Sequence, residues 1–573
     1  MYLLEQITKK LAKEVNEALN LDLVNASDFV YPPNPEMGDL SLACFAIAKS
    51  SKQSPNELAQ FLVGKIKSTG LIRGVQAVGP YCNISLNKSL FCQKLMTEIA
   101  KNKDQYGKNT SGKKARVMIE YSNGNTHKEY HVGHLRNISY GDSVYRLLAA
   151  NGYEAIPVSY INDFGIHVAK TLWWLTHPNN PDNINRVKPD ELENKGYFLG
   201  QTYAAASAVL GDNEDKKIEV GEYMHQIESR QGEIYDLWQQ TRQWSIDQFA
   251  CVYQELGVQF VDTFYESDYI DEGLKIAGEL YAKHFLVKSQ GAVIADLSEY
   301  SLNVLMFLRT DGTALYPVAD LPLAMAKFKK YKLKKSIYVV DIRQGLYFKQ
   351  LFKVLELLGY KEEMMHLGYE FVKLPEGMMS SRTGNVVSYE DLKDKTIERA
   401  RISTAEKHRD WSTEKVEKVA RAIAFGAIKF EMLKVSREKP ITFDVETSLR
   451  FDGYTAAYLQ YTCARIASME RKAADIKFDA KGADLDHPKE HALALKLARY
   501  PEVIQQAGDN YEPSELAKYL FELAQLVNDY YHDVPVLKAD PELAKSRLEL
   551  LSATKQIIAN GFNLLGIEII DEM

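Results

Sequence analysis

Residues 122–134 read SNGNTHKEYHVGH, and the reading of this stretch decides the fold. Before it, Val117-Met118-Ile119-Glu120-Tyr121 has the apolar run of a short buried strand. After it, residues 135–150 carry Leu135, Ile138, Val144, Leu147 and Leu148 at helical spacing. Asn123-Gly124-Asn125 is a turn signal and Gly133 stands just before the helix, so the stretch itself is a loop. A strand, a glycine-bearing loop and a helix N-terminus, in that order, form a site for phosphate oxygens. Unpaired backbone N–H groups and the positive end of the helix dipole converge there. His131 and His134 supply donors, Gly133 lets a flat ring or a phosphate approach the backbone, and Lys128 adds a mobile positive charge. The stretch reads as a nucleotide site. A metal site built from His127, His131 and His134 is the weaker reading, because no cysteine or carboxylate completes a tetrahedral set and the histidines mostly precede the helix.

A chain of 573 residues is long enough for three or four domains. Apolar content of 46% and charged content of 26% are those of a globular protein in water. No apolar run reaches the length of a membrane span, and the first 20 residues read as an amphipathic helix, not a signal peptide. The 5 cysteines form no CxxC pair, which fits free thiols in a reducing cytoplasm and argues against structural zinc. A net charge of −7 excludes a protein that coats nucleic acid nonspecifically, so an RNA partner has to be met by local basic patches.

Residues 1–110 read as a separate α+β unit. Helical spacing over 3–19 precedes the extended Tyr31-Pro32-Pro33-Asn34-Pro35, and a second helix is expected over 41–49. Ser54, Pro55 and Glu57 form a helix start, and residues 79–86 alternate like a strand. At the boundary, GKNTSGKK at 107–114 nearly matches a phosphate-binding P-loop. It lacks the hydroxyl after Lys113 and precedes a strand instead of following one, so a flexible charged linker is expected.

Residues 111–395 begin as a βαβ unit, with the second strand at 153–160, which implies a parallel sheet with ligands at the carboxyl ends of its strands. A helical insertion is expected over about 170–285, with the second half of the sheet returning at 291–294 and 304–308. Tyr316 and Asp320 stand four apart at a helix entrance. A carboxylate there suits a guanidinium, which presents planar donors and does not deprotonate, although a helix cap is the plainer reading of that pair. The lysine-rich run 326–335 reads either as a grip on RNA phosphates or, more commonly, as the solvated end of a helix. From residue 396 strand patterns vanish and long helices run to 573. There Tyr454, Tyr458, Tyr461 and Arg465 share helical spacing, as a core stripe or as a platform on which unstacked bases rest, with Tyr530 and Tyr531 as further candidates.

His131-Val132-Gly133-His134 resembles the HIGH signature of class I aminoacyl-tRNA synthetases, and the longer pattern from Glu120 through Lys128 to His134-Leu135-Arg136 resembles the arginyl-tRNA synthetase family. Asn162-Asp163-Phe164-Gly165 is similar to that family's ND-W-G motif, with Phe164 for Trp and His167 where Gln is expected. Met378-Met379-Ser380-Ser381-Arg382 resembles its KMSKS loop, with Met378 and Ser381 in place of the two lysines. The resemblance runs in order along essentially the whole chain. It implies a Rossmann-type α/β catalytic domain, an N-terminal α+β domain that touches tRNA, and an all-helical anticodon-binding domain over 396–573. The implied reaction is ATP-dependent activation of L-arginine and transfer to the 3′ end of tRNA(Arg), by a cytoplasmic monomer with no membrane partner. Mg²⁺ would come with ATP, with no resident metal and no structural zinc.

Carried over by position, the resemblance makes Lys128, His131, His134, Ser380, Ser381 and Arg382 catalytic, and gives ATP to His131, Gly133, His134, Met379 and Ser380. It lines the arginine pocket with Glu120, Asn125, Asp163, Tyr316, Asp320 and Gln344. Asp320 faces the guanidinium, and the end held by Glu120 is left open. It brings tRNA to Asn83, Tyr454, Tyr458, Tyr461, Arg465 and Tyr531. Lys128 matches the lysine that the family places upstream of HIGH to compensate for a lost KMSKS lysine. Glutamyl- or cysteinyl-type synthetases are the near alternative, opposed by the missing cysteine ligands and the Asp320 pocket. A non-catalytic tRNA-binding paralogue is the distant one, opposed by the intact histidines and Lys128.

Overall fold

The computed structural model describes residues 1–375, 387–474 and 484–573. Its centre is a five-stranded parallel sheet in the order Glu363–Tyr369, Lys335–Asp341, Arg116–Glu120, Glu154–Ile161, Asp262–Tyr265. The chain starts in the middle strand, builds outward to one side, then returns to build on the other. The switch point therefore lies between Arg116–Glu120 and Lys335–Asp341, where an open α/β sheet leaves a crevice at its carboxyl edge. Met118 faces one core and Val117 and Ile119 the other, the alternation of a strand buried on both faces.

Two expected strands belong elsewhere. Val304–Leu308 pairs antiparallel with Ala292–Asp296, which pairs antiparallel with Val287–Ser289 on its other side, in a separate three-stranded sheet. Val304 and Met306 face solvent while Leu305 and Phe307 are buried, the pattern of a sheet with one wet face. The parallel sheet is completed instead by Glu363–Tyr369 and Asp262–Tyr265. Between its strands, helices Ile166–Thr176, Lys195–Leu210, Glu214–Glu228 and Glu233–Glu255 enclose their own core of Leu172, Trp173, Leu199 and Trp238.

In the N-terminal unit a four-stranded antiparallel sheet carries Leu40–Ala43 as a strand where a helix was expected, and that helix begins later, as Phe45–Ser51. The Ser54 capping box forms: Ser54 Oγ accepts from the Glu57 N–H at 3.2 Å, and Glu57 accepts from the Ser54 N–H at 3.3 Å. The 107–114 segment is no loose linker. The N–H groups of Asn109, Gly112 and Lys114 donate to the carbonyls of Ala150, Asn151 and Gly152 at 2.8–2.9 Å, strapping it to the end of helix Val132–Ala150.

That helix is the strut of the molecule. Asn137 donates to Val339 O in the sheet at 2.8 Å, while Tyr140, Ser143 and Arg146 donate to the carbonyls of Tyr511, Leu564 and Asn563 in the C-terminal helices. One apolar core runs through the N-terminal unit, one face of the sheet and the C-terminal bundle, so the three share a single interior.

Candidate active site

His131 is the N-cap of helix Val132–Ala150. Its Nδ1 accepts the Gly133 N–H at 3.0 Å, and Nδ1 of His134 accepts the His131 N–H at 3.0 Å, a capping box written with two histidines. The rings stack with centroids 3.8 Å apart. Because both Nδ1 atoms accept, each neutral ring carries its proton on Nε2, away from the cap. Burial, with the Lys128 charge adding to it, holds His131 down to about 4; burial and both neighbours hold His134 well below the usual histidine value. Gly133 has a local reason as well: a Cβ there would lie 2.8 Å from His131 Cε1, so any side chain would push the ring off its cap.

Lys128 lies over the Tyr203 ring at 5.0 Å and has no ion-pair partner among the described residues; burial lowers its pKa. His127 is turned away from this group. Its backbone is left-handed (φ 61°), its ring sits between Thr126 Oγ1 at 3.0 Å and Thr241 Oγ1 at 2.8 Å, and burial holds it to about 3. The histidine trio therefore does not converge. Nε2 of the buried His167 and Oδ1 of Asn123 have no hydrogen-bond partner among the described residues.

Met379, Ser380, Ser381 and Arg382 lie outside the described residues. Both flanks of that segment dock on the phosphate helix. Upstream, buried Arg136 donates to the carbonyls of Glu370 (2.5 Å) and Phe371 (3.3 Å), and also to those of Ser436 and Arg437. Downstream, the Tyr389 N–H donates to Tyr130 O at 2.7 Å.

The second half of the site is acidic. Helix Tyr316–Tyr331 opens with Tyr316, 63% exposed, and carries Asp320 one turn in. Tyr347, from helix Gly345–Leu357, donates to Asp320 Oδ2 at 2.5 Å. Gln344 is exposed at the head of the same helix. Burial lifts the Asp320 carboxyl to about 6, against the Tyr347 hydrogen bond and with Glu120 adding. Buried Glu266 accepts from Asn162 Nδ2 at 3.2 Å; burial, then Asp320 and Asp163, push it well above the carboxylate range. Asn125 bridges to Asn162 on the same loop edge. Glu120, buried at the end of its strand, pairs with the buried ammonium of Lys327. Of these carboxyl groups Glu120 has an ion-pair partner among the described residues and Asp320 and Glu266 have none, an arrangement that favours a further positive charge.

Sequence reasoning missed Glu266, Tyr347 and Lys327. Tyr347 is three residues after Gln344, so its presence on the same helical face was readable. Nothing local signals the other two. Asp163 needs correction as an arginine ligand. Its carboxylate is fully buried and spent, accepting from Arg242 Nε at 2.5 Å, the Ser267 N–H at 2.9 Å and Ser267 Oγ at 2.7 Å. It anchors the insertion and the turn that carries Glu266.

The histidine cap and the carboxylate-rich pocket both fall inside the stretch that a known domain model matches. Residues 95–445 match the model of the class I tRNA synthetase (R) catalytic domain, 5–86 the arginyl tRNA synthetase N-terminal domain, and 459–573 the DALR anticodon binding domain. This chain belongs to the arginyl-tRNA synthetase family. The arginine–tRNA ligase of Bdellovibrio bacteriovorus is 36% identical over 95% of this chain and 94% of its own length, and that of Clostridium perfringens 34% over 99% of each. The arginyl-tRNA synthetase structure from Thermus thermophilus superposes with a TM-score of 0.81 over the full length of both chains, at 26% identity.

Of the residues expected to meet RNA, some are exposed and others are buried. Tyr454 precedes helix Ala456–Ala473 and packs inward on Phe430 and Phe521. Tyr458 Oη accepts from Asn528 Nδ2 at 2.6 Å, and Asn528 Oδ1 accepts from Arg465 at 2.6 Å. The Arg465 guanidinium lies between the rings of Tyr461 (4.7 Å) and Tyr531 (5.0 Å); Tyr531 is 45% exposed, whereas Tyr530 is fully buried. Asn83 is withdrawn as a surface contact, because it is buried and accepts from Ser41 Oγ at 2.6 Å. Its neighbour Tyr81 is exposed instead, edge-on to the exposed Phe45. The lysine run gives no continuous RNA grip: Lys327 is buried, Lys330 pairs with Asp262 at 2.6 Å and Lys335 with Glu363 at 2.7 Å.

Proposed function

We infer that the chain carries out the arginine–tRNA ligase reaction with a clear division of labour between its two half-sites. The arginine carboxylate attacks the α-phosphorus of ATP in line, expelling pyrophosphate. A hydroxyl of the terminal adenosine of tRNA(Arg) then attacks the arginyl carbonyl and AMP leaves. Little side-chain proton transfer is required, so catalysis is positioning plus stabilisation of charge on the phosphates. The Nε2–H groups of His131 and His134, the ammonium of Lys128 and the helix N-terminus supply that charge field. These donors suit phosphate oxygens and not a cation, so Mg²⁺ would be carried by the triphosphate.

Asp320 takes the guanidinium, backed by Tyr347, with Tyr316 at the mouth. Glu120, Glu266, Asn125 and Gln344 complete the pocket, and Asp163 acts through Glu266. The Tyr461–Arg465–Tyr531 stack and the Phe45–Tyr81 pair are the surfaces on which bases of tRNA rest. Among the described residues no helix is long and apolar enough to cross a membrane, and the free cysteines suit a reducing cytoplasm, where we place the enzyme as a monomer.

The observation that carries this reading is the neutral histidine cap next to the acidic pocket. Arginine-dependent ATP–pyrophosphate exchange, run with and without tRNA bearing an arginine anticodon, tests it. Exchange with arginine and that tRNA is expected. Exchange supported by another amino acid would overturn the pocket, and silence in both tubes with tRNA binding intact would overturn the phosphate site.

A further inference from the structure

Lys327 has a position that its sequence context disguises. It sits in a basic run, yet it is fully buried, with its ammonium among the faces of Phe264 (5.1 Å), Tyr338 (5.4 Å) and Tyr160 (5.8 Å). It is seven residues, two turns, beyond Asp320 on one face of helix Tyr316–Tyr331. From there it hydrogen-bonds Glu120 Oε2, while Oε1 accepts no hydrogen bond among the described residues. Asp320 from the same helix, Tyr160 and Tyr338 are the other titratable groups whose charge is felt at Glu120, and Glu266 faces Asp320.

We propose that Lys327 is a positioning residue for amino-acid recognition: its ammonium fixes Glu120 by Oε2, so that Oε1 is presented to a positively charged group of the substrate. A carboxylate buried at the end of its strand has lost the water that would orient it, and a cation built in next to it supplies that partner. Three aromatic faces stabilise that cation without competing for the carboxylate. The resident charge also divides the labour among the acids. Glu120 has one oxygen paired before substrate arrives, whereas Asp320 is held by hydrogen bonds and has no ion-pair partner among the described residues. This rests on the reading that Glu120 lines the arginine pocket.

The test is exchange kinetics on the full-length enzyme from pH 5.5 to 8.5, with separate KM values for arginine and ATP, for Lys327→Met, Lys327→Arg and Glu120→Gln. Lys327→Met should raise the arginine KM about tenfold or more at neutral pH with the ATP KM within roughly twofold of wild type. Because the Lys327 charge holds the Asp320 carboxyl down, the acid limb that Asp320 sets in the arginine profile should move up by about one pH unit in Lys327→Met, and Lys327→Arg should bring it back. Earlier melting of Lys327→Met with an unchanged arginine KM and pH limb means that the lysine serves stability, and the inference falls. If Lys327→Met does not fold, Lys327→Gln, which keeps a hydrogen-bond donor without the charge, makes the same comparison. An unchanged arginine KM in Glu120→Gln would instead overturn the pocket assignment on which the inference rests.

Discussion

Asp320→Asn separates binding from stability at one atom. The substitution keeps the volume and an oxygen that accepts from Tyr347, and removes the charge. In the free enzyme burial lifts this carboxyl to about 6, so the folded state holds its proton more tightly than the unfolded chain does. The sign follows: the group costs nothing well below pH 4, costs progressively more as pH rises toward 6, and its full cost, at most about 3 kcal/mol, is present at pH 7. The Asn variant should therefore melt higher than wild type at pH 7.5 without arginine, and no higher below pH 4. Arginine reverses the balance. Its guanidinium loses a charge-assisted pair that contributes about 1.5–3 kcal/mol, so the arginine KM should rise about 10- to 100-fold. The wild-type arginine KM should itself climb as pH falls through about 6. Thermal melts with and without saturating arginine, together with exchange kinetics, measure both effects. An arginine KM within about threefold of wild type, or an apo variant that melts lower at pH 7.5, would refute the reasoning.

Gly133→Ala places a Cβ 2.8 Å from the His131 ring, so the ring must leave its cap. Exchange kcat should fall about a hundredfold, as for loss of one phosphate donor, with arginine affinity unchanged by calorimetry. Because the histidines are held neutral, His131 at about 4, kcat at saturating substrates should be flat between pH 6 and 8; an acid limb near 6.5 that disappears in His134→Ala would contradict the neutral state of the rings. Arg465→Ala takes the cation from between two rings and should raise the tRNA KM by about tenfold while leaving the arginine KM alone, checked by aminoacylation at two salt concentrations.

The sequence by itself determined whatever rests on neighbours along the chain. The strand, loop and helix around residues 116–150, the Ser54 capping box and the helix that carries Tyr316 and Asp320 one turn apart are visible because turn chemistry and helical spacing act within a few residues. Only the tertiary structure decided which polar groups are spent and which are free. Asp163 lies in a motif that reads as ligand-binding, but a helix about eighty residues further on brings Arg242 to it. Asn83 loses its surface to Ser41, and the 107–114 segment loses its mobility to the carbonyls at the end of a helix. Lys327 is the sharpest case, since a lysine among lysines is ordinarily solvated. It is buried here because strand Arg116–Glu120 ends in a carboxylate that meets it two helical turns beyond Asp320, and that proximity exists only once the sheet has closed around its switch point.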